Sequence, residues 1–227
     1  ISISADRLGV ARFAPNATTV GVDTLVVTIA QGATSTSFFV QGMEGIIADT
    51  VALTASSPGF ASAVAEQRVW QGVVELSGLP TTFNTLAPDD PFQVIVGTPV
   101  SPAGTQIWSS DNVRFGSPPL IATVVSNTST VGQLTTTART GDTVTVQFPV
   151  NTRVSPTTVA LGGVAFQSLT TGTTVVSATV PDFRSVGTAA GTTVTITAPA
   201  LSLAAIQSVG SGLQVAASGS VNAAQHG

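Results

Sequence analysis

Apolar and polar residues alternate along most of this chain, in short runs that stop at Gly, Pro, Asn or Asp. The clearest runs are Thr24 to Ile29, Ser37 to Val40, Thr50 to Thr54, Phe92 to Val96, Leu120 to Val125, Thr143 to Phe148, Thr174 to Ala178, Thr193 to Ile196 and Leu213 to Val215. Side chains on a strand point alternately to its two faces, so such runs predict half-buried strands. Their Val, Thr, Ile and Phe residues fit a pleated surface. Strand starts recur about every ten residues, the spacing of a sandwich or barrel. No stretch carries apolar residues at helical spacing over several turns, and Phe60 to Ala65 comes nearest. The predicted fold class is all-β. The expected core comprises Leu25, Val27, Ile29, Phe39, Val51, Leu53, Phe60, Val94, Val96, Val144, Val146, Phe148, Val176 and Phe183.

The chain also resembles itself. Val22 to Val27 matches Gly141 to Val146, Thr50 to Phe60 matches Thr173 to Phe183, and Phe92-Gln93-Val94 matches Leu213-Gln214-Val215. The pairs keep their order at a separation of about 120 positions, which marks two copies of one β-unit. The copies are out of phase with the ends of the chain. Ile1 to Asp6 resembles Ile121 to Ser126, and Val10 to Phe13 resembles Val131 to Leu134, so Gly227 leads naturally into Ile1. The expected division is a first unit at 1–77 lacking its opening strands, and a second at 78–198. Residues 199–227 are then either the opening strands of a following repeat or a donor segment completing a neighbouring unit. An incomplete sandwich exposes unpaired backbone and apolar surface, which favours strand addition and an open-ended, head-to-tail array. The expected inter-unit contacts are Trp108, Leu213, Val215, Ile1 and Ile3.

The run Thr50 to Ala63, in which a strand ends in Ser57-Pro58-Gly59-Phe60 and small residues follow, resembles the late strands of bacterial immunoglobulin-like (Ig-like) repeats. Leu76 to Pro80 and Leu161 to Val164 also look like pieces of such repeats, and the resemblance spans nearly the whole chain. It implies tandem Ig-like antiparallel β-sandwiches and a role as a surface stalk, adhesin or filament. It implies no catalytic residue. The long connection from Thr98 to Pro119 and the phase of the termini depart from the pattern.

Composition narrows the chemistry. Charged residues are 8% of the 227, there is no Cys, and all the basic residues are Arg. Cysteine and lysine nucleophiles are therefore excluded. A net charge of −4 with no basic stripe argues against nucleic acid as a partner. Low charge, abundant Thr and Ser, and the lack of Cys favour an extracellular or bacterial cell-surface location. No apolar run is long enough for a transmembrane helix. The opening Ile1-Ser2-Ile3-Ser4 has no signal-peptide character, which points to a mature protein or a piece of a longer one.

Individual candidates are few. His226 has no second His or Cys for a metal site and reads as a junction residue. Pro88-Asp89-Asp90-Pro91 reads as a turn, with structural Ca²⁺ at a domain junction as the sharper alternative; no other cofactor is expected. Asp23 and Asp142 precede equivalent strands and are expected to cap turns. Asp111, Asn112 and Arg114 lie in the long connection and suggest a surface ion pair. Trp70 and Trp108 are the only Trp residues; Trp108 lies in a polar stretch and is the leading contact residue. Asn16 and Asn127 fit the N-glycosylation pattern and are expected at equivalent turns. No nucleophile, base and orienting group can be assembled, so no enzyme is expected. The expected function is a structural repeat of a bacterial fibre or surface stalk, joined head to tail to other copies, possible strand complementation included. The alternative is an adhesin module binding carbohydrate or protein through Trp108.

Overall fold

A computed structural model describes residues 1–109, 111–204 and 208–222. Nearly all of the regular structure is β. The first unit contains β1 (Ser2–Ala5), β2 (Ala11–Ala14), β3 (Thr24–Val26), β4 (Phe39–Gly42), β5 (Ala48–Ser56) and β6 (Ala63–Trp70). They form one sheet in the order β3-β1-β5-β6 and a two-stranded partner, β2-β4.

The second unit begins with β7 (Val73–Ser77), β8 (Thr82–Asn84), β9 (Asp90–Pro99) and β10 (Ile107–Ser109). It continues through β11 (Ile121–Ser126), β12 (Gly132–Thr135), β13 (Thr140–Gly141), β14 (Thr143–Gln147), β15 (Val164–Ser168), β16 (Gly172–Thr179), β17 (Arg184–Ser185) and β18 (Thr192–Thr197). Single helical turns at Val159–Leu161 and Gly187–Ala190 are the described helix. One sheet runs β14-β11-β16-β18-β8 and the other β13-β12-β15-β9-β7-β17, with β10 added to β9. Two of the contacts are parallel, β17 on β7 and β18 on β8. Then, among the described residues, β19 (Ala200–Leu203) pairs only with β20 (Gly219–Asn222).

The repeat seen in sequence is a repeat of topology. The order β3-β1-β5-β6 recurs as β14-β11-β16-β18, and the pair β2-β4 recurs as β12-β15. Ile3 lies between Leu25 and Ala55 as Val124 lies between Val144 and Ala178. The turn after β5 has Gly59 at φ 80°, and its counterpart after β16 has Asp182 at φ 64°. Gly adopts this left-handed geometry freely and Asp is among the side chains that tolerate it. One alignment shifts. Asp6 corresponds to Asn127, not to Ser126. The Asp6 carboxylate accepts a hydrogen bond from the Ala52 N–H at 2.9 Å, and the Asn127 amide oxygen accepts one from the Val175 N–H at 2.8 Å. A slip of one residue would turn every inward side chain outward, so burial fixes this register.

The two units differ in their cores. In the second, residues from both sheets fill one continuous interior, including Phe83, Phe92, Leu134, Phe148, Phe166, Val176 and Ile196. The rings of Phe83 and Phe166 meet at 5.0 Å. In the first, the interior is split between Ile3, Phe13, Leu25 and Val27 on one side and Val10, Ala11 and Val51 on the other. Of the expected core, Leu25, Val27, Val51, Val94, Val96, Val144, Val146, Phe148 and Val176 are buried. Leu53 and Phe183 pack partly buried at the edges, and Ile29 is half-buried. Phe39 and Phe60 are exposed, at 48% and 80%. For Phe39 the face was misassigned: Phe38 turns inward to meet Phe13 edge-on at 6.1 Å. Phe60 sits beyond the end of β5, where nothing in its own unit covers it. The expected strand at Leu213 to Val215 is also corrected, because these residues lie between β19 and β20 without strand pairing.

Phe166 is fully buried between the sheets. Phe166→Ala is expected to destabilise the second unit by about 3–5 kcal/mol, the cost of a large core cavity. Denaturant unfolding measures it.

Candidate assembly interface

Residues 73–99 close the second unit on three sides. β9 pairs with the edge of β15 (Phe92 opposite Val164), so the β12-β15 pair becomes part of a wide sheet. β8 lies parallel along β18, with Phe83 opposite Ile196. β7 receives β17, with Val73 opposite Arg184, while the Phe183 ring lies against Gly72 so closely that a Cβ there would collide with it. This one segment supplies Val74, Leu76, Phe83, Phe92, Val94 and Val96 to the core. Each fully buried Leu, Val or Phe side chain is worth about 1.5–3 kcal/mol. Closure by this segment is therefore a large part of what makes the second core continuous.

Among the described residues, the first unit lacks all three covers. β4 pairs only with β2, and β6 is the outer strand of its sheet. Phe60, the counterpart of Phe183, is exposed because no strand stands where β7 stands in the second unit. The segment β19–β20 follows β18 as β7 follows β6, and it pairs antiparallel as β7 pairs with β9. Its apolar residues Leu201, Leu203, Leu213 and Val221 are exposed, Leu201 to 81%. An isolated two-stranded ribbon is marginal in water.

The units are tied together by the connection from Thr98 to Pro119. Arg114 makes a bidentate contact with Glu44 of the first unit, Nε to Oε1 at 3.0 Å and Nη2 to Oε2 at 2.7 Å. Gly116 approaches Val20 so closely that a Cβ would stand 2.8 Å from its Cγ2. On the other side, Arg184 donates to the carbonyls of Pro102 and Gly104, and the Glu75 carboxylate accepts from the Ile107 N–H at 3.1 Å. Directly between the units, the Gln71 amide donates to the Asp182 carbonyl at 3.2 Å. The expected surface ion pair within the connection is thus replaced by one across the junction. Asp111 instead accepts from Thr98 and Ser109. Only the low sequence charge hinted at these sites, by making each Arg conspicuous.

The residues expected to make inter-unit contacts are dispersed. Trp108 on β10 is 77% exposed. Leu213 and Val215 are exposed in the β19–β20 segment. Ile1 is partly exposed, and its amino group donates to the Val27 carbonyl at 2.9 Å. Ile3 is buried in its own unit and faces its core. The edges of β4 and β6 and the Phe60 position were not recognised from sequence. The signal available was the match of Phe60 to Phe183, two equivalent residues with different neighbours.

Other candidates take ordinary places. Asp90 and Pro91 are not in a turn: they begin β9, opposite Phe166 and Ala165. Among the described residues no three His, Cys, Asp or Glu side chains converge as metal ligands. Asp23 accepts from Arg12 at 3.2 Å, and Asp142 lies 3.9 Å from Arg139. Asn16 folds its amide oxygen onto Thr18 and Thr19, whereas Asn127 bridges to β16, so their turns are not equivalent. Trp70 is half-buried beside a shallow cleft of about 470 Å³ with Arg7, Arg68 and Pro102. Arg7 is occupied there by Asp49 and the Thr50 carbonyl. His226 lies outside the described residues.

The Arg114 side chain is only 12% exposed, whereas Glu44 is open to solvent at 39%. Arg114→Ala is expected to cost about 1 kcal/mol, between an exposed pair and a buried charged bond. A double-mutant cycle with Glu44→Gln should assign most of that loss to the pair. No protein-family model and no curated protein matches this chain.

Proposed function

We propose that the chain is a structural repeat unit of a bacterial extracellular fibre or surface-stalk protein. Its sandwiches are of the Ig-like type and join head to tail with other copies. The supporting observation is the doubled topology, in which the second sandwich is closed by a segment standing before its own β1-type strand, β11, while the first has the same strand order with those edges open. In the second unit that closing segment follows the first unit directly. Such a topology lets the segment that follows one unit close the next, the logic of a linear array. The closed apolar interior and paired strands supply mechanical resistance, and the reading assigns the chain no catalytic activity and no cofactor.

Low charge supports the extracellular, self-facing role. Burial against another copy then removes few ions from water, and desolvated unpaired charge is expensive. A second reading, an adhesin module for carbohydrate or protein, draws on the exposed Trp108 indole at the connection. Exposed aromatic faces stack on ligands and anchor interfaces. Glycan-array binding lost in Trp108→Ala would favour it; the structural reading expects that variant to keep its stability within about 0.5 kcal/mol.

The head-to-tail reading is tested by sedimentation and negative-stain microscopy. The full chain is expected to form a concentration-dependent series of oligomers or filaments with one chain as the axial repeat. A chain ending at Pro199 is expected to remain monomeric. A full chain that stays a single monomeric species at all concentrations overturns the reading.

A further inference from the structure

We propose that residues 200–204 and 208–222 of one copy clasp the first unit of a second copy at three places at once. They would occupy there the position that residues 73–99 hold on the second unit. The inference rests on the head-to-tail reading and specifies its contact surface.

The correspondence is set by geometry already described. β7 starts three residues after β6 ends, and β19 starts three residues after β18 ends. Ala200 therefore holds the place of Val73, and Ala61 holds that of Arg184, the residue opposite Val73. β19 then runs parallel beside Ala61 and Ser62, as β7 runs beside Arg184 and Ser185; Pro199 takes the place of Gly72, so the Phe60 ring packs on the Pro199 ring instead of seating against bare backbone as Phe183 does. Residues 215–217, just before β20, add antiparallel to the free edge of β4, as Asp90 to Phe92 at the start of β9 add to β15. Residues 208–214 pass along the free edge of β6, where β8 lies on β18.

The occupant has the chemistry for this seat. From Ser185 to Gln225 the sequence contains no charged residue, so burying the segment strips water from no ion. Neither β19 nor β20 carries the Pro or charge that usually guards an exposed edge. The exposed Leu201 and Leu203 supply apolar surface to a first unit whose own core is split in two.

The native chain contains no cysteine, so an engineered pair reports on one contact without background. Two differently tagged full-length chains, one Ala61→Cys and the other Ala200→Cys, are mixed and oxidised. Paired strand residues bring Cα atoms within disulfide reach. The expected result is a disulfide heterodimer formed at least tenfold faster than with a Thr157→Cys control on the second unit. Phe60→Asp in the Ala61→Cys chain is expected to suppress that product; because Phe60 is exposed, the fold should survive, which circular dichroism checks. Self-association without the Ala61–Ala200 cross-link overturns the clasp and leaves the head-to-tail reading standing. Absence of both association and cross-link overturns the two together.

Discussion

The constraint on which the structure depends is closure of a sandwich at its sheet edges. Two sheets exclude water only if the strands at their margins are paired or covered, because an open edge carries unpaired N–H and C=O groups and leaves the interior accessible. In the second unit a single segment meets this requirement on β15, β18 and β17 together. The same segment supplies much of the apolar interior, so edge pairing and core formation are one event. The first unit has the same strand order without the segment, and its interior divides into two small clusters. The contrast is unusually direct, since two copies of one topology differ chiefly in whether their closing strands are present.

The fold class was legible because alternation is strong in the long strands. Thr143 to Phe148 and Phe92 to Val96 place every second residue in the core. The internal repeat was legible because Asp23-Thr24 and Asp142-Thr143 start matching strands. β6 and β7 were not. The sequence Ala63 to Trp70 is small and polar for an edge strand, and Val73 to Ser77 does not alternate, because the neighbouring Val73 and Val74 are both buried. Phe60 was placed in the core because aromatic residues usually end there. It is 80% exposed because no described strand stands beside it as β7 stands beside Phe183, which no local pattern can reveal. Leu213 matched Phe92 in sequence, but the register of β19 on β20 leaves it between the strands.

The repeat is conserved in geometry while its chemistry drifts. Inside the first unit Val51 stands opposite Gln67; at the corresponding place in the second, Thr174 stands opposite Val194. The polar residue has moved across the ladder while each pair keeps one apolar member. Thr174 is buried and is satisfied by Ser126, Asn127 and the Thr128 N–H. In the first unit the Val51 position needs no such network. Cross-strand pairs thus carry the constraint more than single positions do, in keeping with the pair as the unit of sheet stabilisation.

The scarcity of charge and the choice of Arg belong to the same physics. Few ions limit both like-charge repulsion and the desolvation that burying an ion costs. Two of the remaining arginines act where a fixed angle between parts is needed. Arg114 grips Glu44 with both arms across the junction, and Arg184 holds two carbonyls of the connection. A planar guanidinium fixes direction as well as distance, whereas an ammonium on a flexible stem fixes neither as well. Arg at these sites makes the connection a bracket, setting the angle at which one sandwich follows the next.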